Sequence, residues 1–197
     1  MSTLVVYPAT ANDSAFQSSG GSVTAGSVEG AVSTASPTGA TRFENVTLAS
    51  SVTVSAATIS VYGYNKGAGA FSAAIVTGVK EANPGVFTNV AFSLTTLLST
   101  YPTTHTYSWT ATLSTSAYVA SGDISAIITE LLAQGSWASG NAMAFIYSAG
   151  STTSAAWFAY AHGSNYEELT ITYTASTPAY LPPTRQFGQA VNRAATY

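Results

Sequence analysis

Acid–base catalysis, metal binding and nucleophilic attack all need titratable side chains in clusters, and this sequence offers few: eight Asp or Glu, two His and no Cys in 197 residues. Glycoside hydrolysis requires two carboxyl groups facing one cleft, whereas the acids here are scattered. Only Glu167 and Glu168 adjoin. On a strand, neighbouring side chains point to opposite faces, so these two are expected as solvated edge charges. A Ser or Thr nucleophile would need a His base held by a carboxylate, and neither His105 nor His162 has a Gly-x-Ser-x-Gly pattern near it. Each His is expected at a strand end or an interface. With no paired-His spacing and no Asp-x-Asp-x-Asp-Gly loop, no metal site and no cofactor is expected. The reading is of a chain without catalytic residues.

Binding is the second chemistry within reach. Three Trp and twelve Tyr could stack on sugar rings, since an aromatic face buries apolar area without needing charge. Trp137, Trp157 and Tyr160 form the candidate aromatic contact surface. The competing reading is packing: Trp157 and Tyr160 fall in one strand-like segment on opposite parities, so one of them faces a core. Asn12-Asp13-Ser14 and Asn45-Val46-Thr47 match the glycosylation pattern, which a Ser/Thr-rich chain meets by chance.

Composition narrows the classes further. Charged residues are 7% of the chain and apolar ones 46%, against about a quarter charged in a typical soluble domain. The chain is too apolar for disorder, and its surface must be hydroxyl and amide rather than ionic. So neutral a skin points to life in an assembly. Net charge −3 lacks the basic footprint for nucleic acid. No run approaches a membrane span, and the start, Met1 to Pro8, shows no secretion signal, so the expectation is a chain made in a host cytoplasm.

The elements that would position these side chains are mainly strands. Ala57 to Tyr64 alternates small or aliphatic with polar or phenolic residues, and Glu168 to Thr174 alternates more cleanly. Comparable segments are 41–48, 72–79, 104–112, 142–149 and 155–162, with 142–147 apolar throughout and therefore central. Seven or more such strands without βαβ alternation predict an all-β, antiparallel two-sheet sandwich. Ile124, Ile127, Ile128 and Leu131 lie at i, i+3, i+4 and i+7, behind Asp123 and ahead of Gly135. That spacing predicts one short helix over about 123–134, N-capped by Asp123 and covering an open end of the sandwich. Residues 9–40 read as a long loop or weak edge strands.

From Ala175 the alternation stops, and Pro178, Pro182 and Pro183 favour an extended arm over 175–197. The domain proper is 1–174. The arm carries Arg185 and Arg193 and no acid, a charge of +2; residues 1–174 hold all eight acids against three cations, a charge of −5. Tyr180, Leu181, Phe187, Val191 and Tyr197 make the arm poorly suited to solvent and well suited to a neighbour's groove or sheet edge.

Three runs, Asp123 to Leu132, Trp137 to Phe145 and Leu169 to Tyr173, resemble the C-terminal half of a jelly-roll-like module of the DNRLRE kind; Arg42 to Leu48 and Ala57 to Tyr64 are similar to its early strands. Such modules occur in bacterial surface proteins, polysaccharide enzymes and phage structural proteins. The resemblance spans roughly residues 40–174 and implies a jelly-roll-like fold, with motifs that describe packing rather than chemistry. Combined with the arm, it leads to the expectation of a non-enzymatic virion protein, a phage head decoration or cement protein. Its partners would be a major capsid protein or other virion protein and further copies of itself, with no nucleic acid and no membrane. The alternative is a carbohydrate-binding or adhesive module on a phage tail or bacterial surface.

Overall fold

A computed structural model describes residues 1–26, 29–33, 35, 38–63, 70–114, 116–151, 156–159, 161–162 and 165–176. Of the predicted arm, 175–197, all beyond residue 176 lies outside them. The chain folds as an antiparallel two-sheet sandwich. One sheet runs in the order β1 (Ser2–Val6), β14 (Glu168–Thr174), β6 (Thr53–Gly63), β11 (Ala156–Ala159), β4 (Glu29–Val32), with β9 (Tyr118–Ala120) also paired to β6. The other runs β3 (Val23–Ala25), β2 (Ser14–Gln17), β5 (Thr38–Phe43), β10 (Met143–Ser148), β7 (Ala70–Val79), β8 (Pro102–Thr112). A small hairpin joins β12 (Ala161–His162) to β13 (Asn165–Tyr166). The chain changes sheet at most connections, as in a jelly roll.

Alternation explains the burial. Along β6, Ala57, Ile59 and Val61 are buried while Thr58, Ser60 and Tyr62 are partly exposed. Leu169 and Ile171 of β14 face inward beside them. The apolar strand β10 is central, as expected, between β5 and β7. Its Phe145 meets Phe43 edge-on at 5.9 Å, and Phe71 lies 4.6 Å from Trp109.

The predicted helix is α2 (Ser125–Leu132), shorter than expected by about two residues at each end. Ile124, Ile127, Ile128 and Leu131 are buried in the main core, so the stripe is as read. Asp123 stands one residue farther from the helix than a capping residue: its Oδ1 accepts from Ser125 N at 2.9 Å and from Ala57 N of β6 at 3.0 Å. The carboxylate thus fastens the helix to the sheet. Gly78 allows the close approach, since a Cβ there would meet Ile127 Cγ2 at 2.7 Å.

Two expectations need correction. There is a second helix, α1 (Ser93–Thr100), which with the 80–92 loop covers the outer face of the β3–β8 sheet. A second core forms beneath it from Ala15, Val79, Phe87, Leu94 and Ile146. Residues 9–40 hold four strand segments and a 3₁₀ turn (Ala11–Asp13), and only β3 and β4 are edge strands. Strand β2 is internal despite its polar residues, because Gln17 exchanges two hydrogen bonds with Thr95 of α1.

Candidate functional site

Three loops lace together at the end of the sandwich closed by α2. Val46 N donates to Asn141 O and Gly140 N to Val46 O, both at 3.0 Å. Asn141 Nδ2 donates to Ala82 O, and Ala142 N to Asn83 Oδ1, both at 2.9 Å. The loop after β7 is also pinned to the opposite side, where Phe87 N bonds Asn12 O, Ala25 N bonds Asn89 Oδ1 and Phe92 N bonds Gly21 O. Phe92 adopts φ +60°, unusual for a residue with a Cβ, and its ring lies over Gly21 where any side chain would collide. Left-handed backbone at such a residue costs roughly 1–3 kcal/mol and persists only when the surroundings enforce it.

This fixed loop and α1 enclose a groove of about 350 Å³ lined mainly by apolar residues, among them Pro84, Val86, Phe87, Val90 and Leu97. Phe87 forms a buried floor, while Val86 and Val90 remain 46% and 59% exposed, and Phe92 beside them 55%. Glu81 stands in the lining without an ion pair among the described residues. Ser93 also lines the groove, and its shielded Oγ has no hydrogen-bond partner among the described residues.

A second exposed feature lies on the outer face of the other sheet. Tyr62 and Tyr118 are register partners on β6 and β9, with ring centroids 5.2 Å apart. Tyr7 and Tyr166 pair at 6.4 Å, and the Tyr7 hydroxyl donates to Glu168 Oε2 at 3.3 Å. Partial desolvation, then the Glu168 charge, raises the phenol pKa of Tyr7 and Tyr118.

The titratable groups that could have done chemistry are built into the framework. Asp13 is fully buried; it accepts from Ala9 N, Thr10 N and Thr10 Oγ1, and pairs with Arg42 Nη1 at 2.5 Å. Arg42 also pairs with Glu44 and donates through Nε to Pro84 O. Burial opposes the guanidinium charge, but Glu44 and Asp13 outweigh it and raise its pKa. Glu130 accepts from Thr104 N and His105 N and pairs with Lys80 and the His105 ring. Desolvation there is overcome by these donors, which hold its carboxyl down at about 2. His105 lies three residues inside the start of β8, rather than at the strand end expected for it; the side chain of His162 is outside the described residues.

Glu167 departs from expectation. It does point opposite to Glu168, but inward, on the parity of Leu169, and it is completely buried rather than solvated. Thr41 Oγ1 donates to its Oε2, while Oε1 has no partner among the described residues. Burial pushes its carboxyl well above the ordinary range, against the weaker opposing effect of the Thr41 bond. Among the described residues, no three His, Asp or Glu side chains gather as a metal site.

Of the aromatic contact residues proposed from sequence, Trp137 is in the core, with Nε1 donating to Leu48 O at 2.9 Å. It is therefore packing rather than a platform. The side chain of Trp157 and all of Tyr160 lie outside the described residues, as do Tyr180, Leu181, Arg185, Phe187, Val191, Arg193 and Tyr197 of the arm. Sequence reasoning missed the 80–92 groove, although Asn83-Pro84-Gly85 followed by Val86, Phe87, Val90 and Phe92 signals a turn-rich segment with more apolar residues than a solvated loop needs. No protein-family model and no curated protein sequence matches the chain.

Proposed function

We propose that this chain is a non-enzymatic structural subunit of a viral particle, decorating or cementing a phage capsid. The observation that carries this reading is the pairing of a rigid sandwich with a preformed, exposed apolar groove. Val86, Val90 and Phe92 are held toward solvent by a loop tied down at many points. Apolar patches held rigid in this way mark contact surfaces more often than they mark solvent-facing loops. The engagement of Asp13, Glu44, Asp123 and Glu130 in ion pairs and backbone contacts supports a framework role for the acids over a catalytic one. Low charge fits a protein whose surface is shared with neighbours. Many copies, each making a moderate contact, would hold the particle together through effective concentration.

The test is co-sedimentation of the full chain with particles assembled without it. Saturable binding to a fixed number of sites is expected. Particles that pellet without the chain at micromolar concentration would refute the assignment.

The tyrosine cluster favours a second reading, a carbohydrate-binding or adhesive module. Tyr7 and Tyr118 are about half exposed beside a carboxylate that can accept from sugar hydroxyls. Glycan-array binding that disappears in a folded Tyr118→Ala variant would make this reading the better one.

A further inference from the structure

We infer that the groove between the 80–92 loop and α1 is the acceptor for the C-terminal segment 177–197 of a second copy of this chain. The inference rests on the assembly reading and names its contact. Two observations converge on this occupant. The first is where the described chain ends: β14 runs toward the N-terminal end of β6, and Ser176 Oγ bonds Ser51 O. The 44–52 connection is laced through Asn141 to Ala82, and Ala142 bonds Asn83, so the segment leaves from the end of the sandwich at which the groove loop begins. From there residues 177–197 can reach roughly 70 Å when extended, ample to cross to an adjacent copy.

The second is complementary chemistry. The groove offers Val86, Phe87, Val90 and Leu97 to apolar side chains, and the segment brings Leu181, Phe187 and Val191. Glu81 carries no ion pair among the described residues, and the segment carries Arg185 and Arg193 with no acid of its own. Pro178, Pro182 and Pro183 reduce the conformational freedom lost on docking.

The chain has no cysteine, so introduced thiols are unique. Full-length Val90→Cys is mixed with differently tagged full-length Phe187→Cys and oxidised gently. A disulfide-linked heterodimer is expected, at about tenfold or more over a Thr3→Cys control on the opposite sheet, and Val86→Asp should lower its yield by a similar factor. Val86 is exposed enough for the aspartate to be tolerated by the fold. A yield no greater than the control's would overturn the inference. So would dominant internal closure in a single chain carrying both cysteines at dilution, which would assign the groove to the chain's own segment. Particle binding by the unmodified chain is measured alongside: binding without cross-linking sinks the groove and leaves the assembly reading standing, whereas cross-linking without particle binding does the reverse.

Discussion

Asp13 shows how one residue in a stretch of small polar residues can organise a fold. Its carboxylate receives two backbone N–H groups, a hydroxyl and the Arg42 guanidinium, and Arg42 in turn holds Pro84 at the root of the groove loop. Removing this carboxylate leaves Arg42 with Glu44 alone as its carboxylate partner and strands the Ala9 and Thr10 N–H groups, at about 1–3 kcal/mol for a donor left unsatisfied. Asp13→Ala should therefore lower stability by an amount in that range in chemical denaturation, and a loss below about 1 kcal/mol would mean these contacts contribute little. Glu167 makes the opposite case, a carboxyl whose charge burial opposes. An unfolded Glu titrates near ~4.3, and the folded one titrates higher. Above ~4.3 the unfolded chain therefore holds fewer protons, so this group's contribution is fully present below that pH and is lost as pH rises through the folded value. Glu167→Gln should remove that slope and melt above the parent at neutral and alkaline pH. Parallel melting curves for the two proteins from about pH 4 to about pH 9 would contradict the assignment.

At the scale of elements, α2 is the joint on which the end of the sandwich depends. Asp123 serves both Ser125 N and Ala57 N, so its loss removes a helix-terminal bond and strands a sheet donor. Asp123→Ala should cost about 1–3 kcal/mol, read from the midpoint of thermal unfolding; an unchanged midpoint would reject the anchoring role. This helix, β6 and β14 were legible because each carries its own period in adjacent residues, and β10 because its run is apolar throughout. The same local logic failed for α1. Leu94, Leu97 and Leu98 have helical spacing, but Thr95, Thr96 and the absence of a capping side chain at Phe92 weaken the signal. Strand β2 and the buried Asp13 were hidden for another reason: Gln17 and Asp13 can be buried only because Thr95 and Arg42, distant in sequence, satisfy them. Glu167 was assigned the correct parity relative to Glu168 but the wrong environment: it shares the parity of Leu169 and Ile171, which marks the inward face, and a carboxyl is accepted there through a hydrogen bond from Thr41, distant in sequence.

Across the whole molecule, the groove loop starts at the end of the sandwich where the chain exits at Ser176 and continues over the outer face of the β3–β8 sheet, while the tyrosine cluster occupies the outer face of the β1–β4 sheet. This separation lets a single experiment tell which surface works. Hydrogen exchange of the full chain, free and bound to particles, reports protection along the backbone. The account expects new protection over residues 84–97 and 177–197 on binding, with Tyr7, Tyr118 and Tyr166 exchanging as before. Protection confined to the tyrosine face, with the groove unchanged, would contradict it.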